Sequence, residues 1–235
     1  MINKIKYIAF LLILISSFSL VGCSDKDSSI VSSSITKEDP EKEEPFFSYS
    51  EIPSSVKDKM LGYSMPESEP ISFDTLSYLQ LSYYGFDGKT HRGEMIVNKE
   101  VAAEVVEIFK ELYEVKYPIE KIKLIDEYEA NDDLSMKDNN TSSFCYRTIA
   151  NTNVISNHGK GMAIDINPLL NPHINNSRGT VSPNTATDYI DRNQSIKGMI
   201  VENDDCYNAF IKRGWSWGGN WKNPDYQHFE KNINN

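Results

Sequence analysis

Cysteine is scarce in this chain, with three in 235 residues, and Cys23 stands far from the other two, Cys145 and Cys206. A disulfide-dense scaffold is thereby excluded, as is a structural zinc site built on four thiolates. Cys145 and Cys206 can form one bridge or remain two buried thiols, and their positions in the sequence do not choose between these. Basic charge is also lacking: 24 Lys and Arg stand against 34 Asp and Glu, a net charge of -10. Nucleic acid is therefore not expected as a partner, because binding phosphates needs a basic surface. The apolar run from Tyr7 to Leu20 is short for a permanent membrane span, and no internal repeat is visible.

Residues 1–22 read as an export signal, in which Lys4 and Lys6 form a basic start before the apolar run. The run ends in Leu20-Val21-Gly22-Cys23, which resembles a bacterial lipobox. That resemblance implies cleavage before Cys23, lipid attachment to it, and an extracytoplasmic protein held to a membrane of the bacterial cell envelope. Residues 23–50 are expected to be the lipidated cysteine and a disordered tether. Ser28 to Ser34 is rich in serine and Lys37 to Glu44 is charged and broken by Pro40, so neither part can bury a core. Residues 51–235 have the length and the apolar content of one domain, read as a monomer.

Within that domain the pattern predicts a mixed α+β fold. Thr75 to Tyr84 and Gly93 to Asn98 are rich in strand formers and flank Gly85 to Gly88, as in a hairpin. Val101, Val105, Ile108, Phe109 and Leu112 recur at helical spacing, predicting a helix over Lys99 to Val115 capped by Asn98. Ile119 to Ile125 reads as a further strand. Asp126 to Thr141 is polar and reads as a loop near the substrate. Trp215, Trp217 and Trp221, interleaved with Gly214, Gly218 and Gly219, are expected to pack a tight core corner that positions the strand after them.

The chain has four histidines, and two of them sit in short motifs that bear chemistry. His91 follows a turn and reads as an exposed hairpin residue. His173 follows Asn171-Pro172 and reads as a loop residue at the surface or behind the site, with the cleft wall as the alternative. His158 and Asp165 fall in Ser156-Asn157-His158-Gly159-Lys160-Gly161-Met162-Ala163-Ile164-Asp165. There Met162, Ile164 and Ile166 alternate with Gly161, Ala163 and Asp165, so one strand face is core and the other small and polar. Gly161 and Ala163 are expected to leave room beside Asp165. His228 follows Asp225 by three residues. Two imidazoles and a carboxylate are ligand types that hold a catalytic zinc and leave a fourth position for water, with Asp225 placed to act as base.

The pattern Ser-x-His-x-x-Gly-x-Ala-x-Asp, with Phe144-Cys145-Tyr146-Arg147, Asp165-Ile166-Asn167-Pro168, Tyr189-x-Asp191-Arg192, and Gly214 to Trp221 leading into Asp225-x-x-His228-Phe229-Glu230, resembles the zinc D-alanyl-D-alanine carboxypeptidase family, which includes L-alanyl-D-glutamate endopeptidases. The resemblance implies a Hedgehog/DD-peptidase-like domain with a central antiparallel sheet flanked by helices. It further implies His158, Asp165 and His228 as Zn2+ ligands, Asp225 as catalytic acid/base, and Arg147 and Ser156 on the substrate side. The implied substrate is a peptidoglycan stem peptide, cut at bonds that involve D-amino acids. Carboxypeptidase and dipeptidase branches usually carry Glu where this chain has Asp225, so the endopeptidase-like branch matches better. Arg147 can stabilise a developing oxyanion, clamp a substrate carboxylate or serve only a structural salt bridge, and the sequence leaves all three open. A non-hydrolytic zinc-containing module for wall binding or signalling is the alternative, and retention of Asp225 argues against it.

Overall fold

Leu76 to Asn98 builds the scaffold on which everything else rests. The computed structural model describes residues 44–68, 71–149 and 151–232, so the leader, Cys23 and the tether up to residue 43 lie outside the described residues. In chain order the elements are β1 (Phe47–Ser50), α1 (Ser54–Met60), β2 (Leu76–Tyr84), β3 (Thr90–Asn98), α2 (Ala102–Glu114), β4 (Lys121–Ile122), α3 (Asp132–Lys137), β5 (Asn140–Thr141), β6 (Ala163–Asp165), β7 (His173–Asn175), β8 (Thr180–Ser182), α4 (Asp205–Ile211), β9 (Ser216–Trp217) and β10 (His228–Glu230). No helix among the described residues is long and apolar enough to cross a membrane.

The expected hairpin is present, with β2 and β3 antiparallel from Leu76 opposite Asn98 to Tyr84 opposite Thr90. β3 begins earlier than the sequence reading placed it, so His91 lies inside the strand, stacked on Tyr83 and bonded to Asp87. β1 adds a third strand to the same sheet, although Phe47 to Ser50 was read as the end of the tether. This sheet is covered on both faces. α2 packs Val105, Phe109 and Leu112 against Leu79, Leu81 and Val97, while α1 brings Val56 and Met60 to Leu76, Tyr78 and Ile96. Cover on two sides explains why β2 is buried almost throughout instead of alternating.

The expectation of one central antiparallel sheet is corrected. The described strands fall into four small sheets: β1-β2-β3, β6-β10-β9, the parallel pair β4-β5 and the pair β7-β8. Single hydrogen bonds bridge the first two. Asn98 N–H donates to the Gly161 carbonyl and Phe144 N–H to that of Ile96, while Ser142 and Asp165 exchange both their bonds. A three-residue β6 is too short to do more.

Three local expectations also change. Asn98 does not cap α2; its Oδ1 accepts from Glu100 N–H and its Nδ2 donates to the Lys160 carbonyl, so the helix starts only at Ala102. Only Lys121 and Ile122 of the predicted third strand pair as a strand, because side-chain amides take the neighbouring ladder positions. Glu120 N–H donates to Asn167 Oδ1 and Lys123 N–H to Asn140 Oδ1. Within the predicted loop, Asn131 caps α3 by accepting from Leu134 N–H.

Gly161 also differs from expectation, since it packs on the end of the hairpin and does not open space at Asp165. Its φ is +69°, and a Cβ there would lie 2.5 Å from Asn98 N. Gly161→Ala is expected to destabilise the protein by at least about 1–2 kcal/mol from the left-handed backbone alone. The midpoint of denaturant unfolding checks this. Cys145 and Cys206 are the two-thiol case: both are free and buried.

Candidate metal centre

β6 and β10 place Asp165 and His228 directly across from each other, so their side chains share one face of the small sheet. β10 is anchored by the next residue, Phe229, whose ring stacks on Phe210 of α4 at 4.1 Å, with Trp215 edge-on to Phe210. His158 arrives from a single 3-10 turn, His158–Lys160, as the loop reading expected. Ser156, predicted to face substrate, lines the cleft and also shapes this turn, its Oγ accepting from Gly159 N–H at 3.0 Å.

The three ligand candidates converge. His158 Nε2 lies 3.1 Å from His228 Nδ1 and 3.2 Å from Asp165 Oδ2, and His228 Nδ1 lies 3.0 Å from Asp165 Oδ1. Tetrahedral zinc with bonds of about 2.0–2.1 Å sets its ligand atoms about 3.3 Å apart, so the group fits such an ion with adjustments of a few tenths of an ångström. The group is one that can hold a metal ion, with His158 and His228 buried.

Both imidazoles have their other nitrogen fixed. His158 Nδ1–H donates to the Ser143 carbonyl at 2.7 Å, which leaves Nε2 turned to the site. His228 Nε2 faces Glu230 Oε2 at 3.1 Å, and that oxygen also accepts from Asn157 Nδ2 at 2.7 Å. Glu230 therefore holds one histidine in place and, through Asn157, steadies the turn that carries the other. The motif that contains Glu230 does not by itself mark it for this role. The period of two along β10, which puts His228 and Glu230 on one face, is the signal that finds it. Glu230→Gln is expected to weaken metal affinity about 10–100-fold, measured by competition with a chromogenic chelator.

Charge is concentrated here. Burial opposes ionisation of Asp165, but the adjacent His158 and His228 hold it well below the usual carboxylate range. For His228, burial disfavours the charged form, yet hydrogen bonds to Asp165 and Glu230 prevail and push it up to about 10. Asp225 is pushed up to about 6, chiefly by burial and then by the negative charge of Asp165. Its Oδ1 is buried with no hydrogen-bond partner. Asp225 sits in the turn before β10, where its N–H donates to the Gly218 carbonyl. A Cβ on Gly218 would lie 2.7 Å from the Asp225 carbonyl and 3.3 Å from His228 Cβ, so only glycine lets the turn close.

The remaining candidates are close by. Arg147 lines the same cleft of about 480 Å³, with Nη2 2.9 Å from Asp132 Oδ2. Asp132, from the first turn of α3, went unrecognised because its segment read as a loop. His173 lines the cleft as well, and its backbone bridges to that of Asp225. Of the three tryptophans, Trp215 and Trp217 are core as expected. Trp221 is not: it is 44% exposed, with its ring 5.3 Å from that of His228.

Comparison with known proteins covers the segment that carries this group. Residues 150–231 match the family model described as D-alanyl-D-alanine carboxypeptidase. The matched segment holds His158, Asp165, Asp225 and His228, while Arg147 and Asp132 precede it. Neither the curated proteins nor the solved structures gave a match. Over residues 150–231, which hold the His-Asp-His group and Asp225, the chain is therefore similar to the D-alanyl-D-alanine carboxypeptidase family.

Proposed function

We propose that this protein is a zinc-dependent peptidase that hydrolyses D-amino-acid-containing bonds in peptidoglycan stem peptides, working outside the membrane from a lipid anchor on Cys23. The observation that carries the reading is the buried, unpartnered Oδ1 of Asp225 beside a His-Asp-His group able to hold a metal. Two nitrogens and one carboxylate oxygen suit zinc. A zinc ion held by His158, Asp165 and His228 supplies Lewis acidity, polarising the peptide carbonyl and lowering a water's pKa to about 7.

The chain's own residues do the rest. Asp225 takes a proton from the attacking water at its free oxygen and returns it to the leaving amine, serving as base and then acid. Without metal, burial and the negative charge of Asp165 push this carboxyl up to about 6, toward the range in which one group can both take and return a proton. Arg147 and Ser156 line the cleft where the substrate backbone would lie. The small β6-β10-β9 sheet with α4 beside it supports a DD-peptidase-like arrangement for this part of the chain.

Mass spectrometry of a stem pentapeptide and of cross-linked muropeptides, after incubation with the zinc-loaded protein, tests the proposal. Loss of one terminal alanine assigns a carboxypeptidase, and internal fragments assign an endopeptidase. Intact substrates in the presence of verified zinc-loaded protein would leave the non-hydrolytic wall-binding module as the better reading.

A further inference from the structure

Two cations, Arg147 and Lys160, stand on the walls of the cleft among four carboxylates, Asp132, Asp165, Asp225 and Glu230. A substrate carboxylate entering such a place meets repulsion unless a cation is free to receive it. Arg147 is already committed, since Asp132 neutralises it at 2.9 Å and its side chain also hydrogen-bonds that of Cys145. Lys160 is exposed and forms no ion pair among the described residues.

The position of Lys160 is fixed even though its ammonium is free. Its N–H donates to the carbonyls of Ser156 and Asn157, and its own carbonyl accepts from Asn98 Nδ2. It lies two residues after His158 in the turn that presents that ligand. Lys160 and Asn157 also line a second cavity of about 330 Å³, so these two residues are shared between it and the cleft. A peptide longer than the reacting bond has this way to continue.

We infer that Lys160 reads a carboxylate on the substrate, carried by a residue neighbouring the scissile bond. This specificity rests on the peptidase reading of the same site. One partly screened charge pair corresponds to a preference of up to about fivefold.

Two stem peptides test it, identical except that the α-carboxylate of the acidic residue is free in one and amidated in the other. With the zinc-loaded full chain, the free-carboxylate peptide is expected to show a kcat/KM about fivefold higher. That ratio should shrink in about 1 M salt, where the Debye length is about 3 Å. Lys160→Gln brings the ratio to about one, while Asp132→Asn keeps a preference for the free carboxylate. An equal ratio in the parent protein, or a preference that survives Lys160→Gln, overturns the inference. The same peptides are titrated against the protein by tryptophan fluorescence, to which Trp221 beside His228 reports. A Lys160-dependent preference in binding with no cleavage would keep the inference and overturn the peptidase reading. Cleavage with no preference would do the reverse.

Discussion

Asp225→Asn is expected to lower kcat for stem-peptide hydrolysis by about 10²–10⁴-fold, the usual worth of a positioned acid/base, while the protein still takes up zinc. An amide cannot accept the water's proton, yet it keeps the volume and the backbone turn that Gly218 permits. The candidate metal ligands are other residues, His158, Asp165 and His228. The same change should stabilise the metal-free protein at neutral pH. Burial raises the Asp225 pKa on folding, so the folded state holds a proton more tightly than the unfolded chain, and stability falls as pH rises from the ordinary carboxylate value to about 6. Removing that buried charge removes the cost. Lost turnover with a raised melting temperature in metal-free protein is thus the signature of a functional carboxylate, whereas a structural one would lose both. For the parent, the rate should rise with pH through an acid limb at or below about 6, because a bound cation draws Asp225 downward from that value.

His158→Ala and His228→Ala are each expected to abolish stoichiometric zinc uptake and with it all measurable cleavage. Either substitution leaves two of the three ligands, and a catalytic zinc site needs three protein bonds. The metal-free site also predicts how uptake depends on pH. His228 has a carboxylate on each ring nitrogen, Asp165 Oδ1 at 3.0 Å and Glu230 Oε2 at 3.1 Å, and its pKa is pushed up to about 10. At pH 7 it is protonated without metal, and a ligand nitrogen must be free, so binding expels a proton. Affinity should then rise about tenfold per pH unit around neutrality, and calorimetry in buffers of different ionisation enthalpy should show about one proton released. Uptake that ignores pH would contradict the Asp165-His228-Glu230 arrangement.

The metal group was legible because its chemistry is local. His158 and Asp165 lie in one ten-residue motif, and alternation around Ile164 correctly put Met162, Ile164 and Ile166 in the core. Asp225 and His228 share one turn and one short strand. The β2-β3 hairpin and α2 were equally plain, since their periods of two and 3.6 are long enough to count.

Features set by tertiary partners were not legible. Asn98 looked like a helix cap, but its amide is used by Glu100 N–H and the Lys160 carbonyl. The strand predicted at Ile119 to Ile125 shortened because Asn167 and Asn140 satisfy its backbone from elsewhere. Asp132 was hidden for a different reason: Asn131 followed by two acidic residues is a helix-start signal, set in a segment polar enough to read as a loop.

Titrating zinc into chelator-stripped protein while following stem-peptide cleavage tests the central claim most directly. No cleavage is expected without metal, followed by a linear return of activity that breaks at one equivalent and is absent in His158→Ala. Cleavage by the metal-free protein, or a parent that binds one zinc and leaves every stem peptide intact, would contradict it.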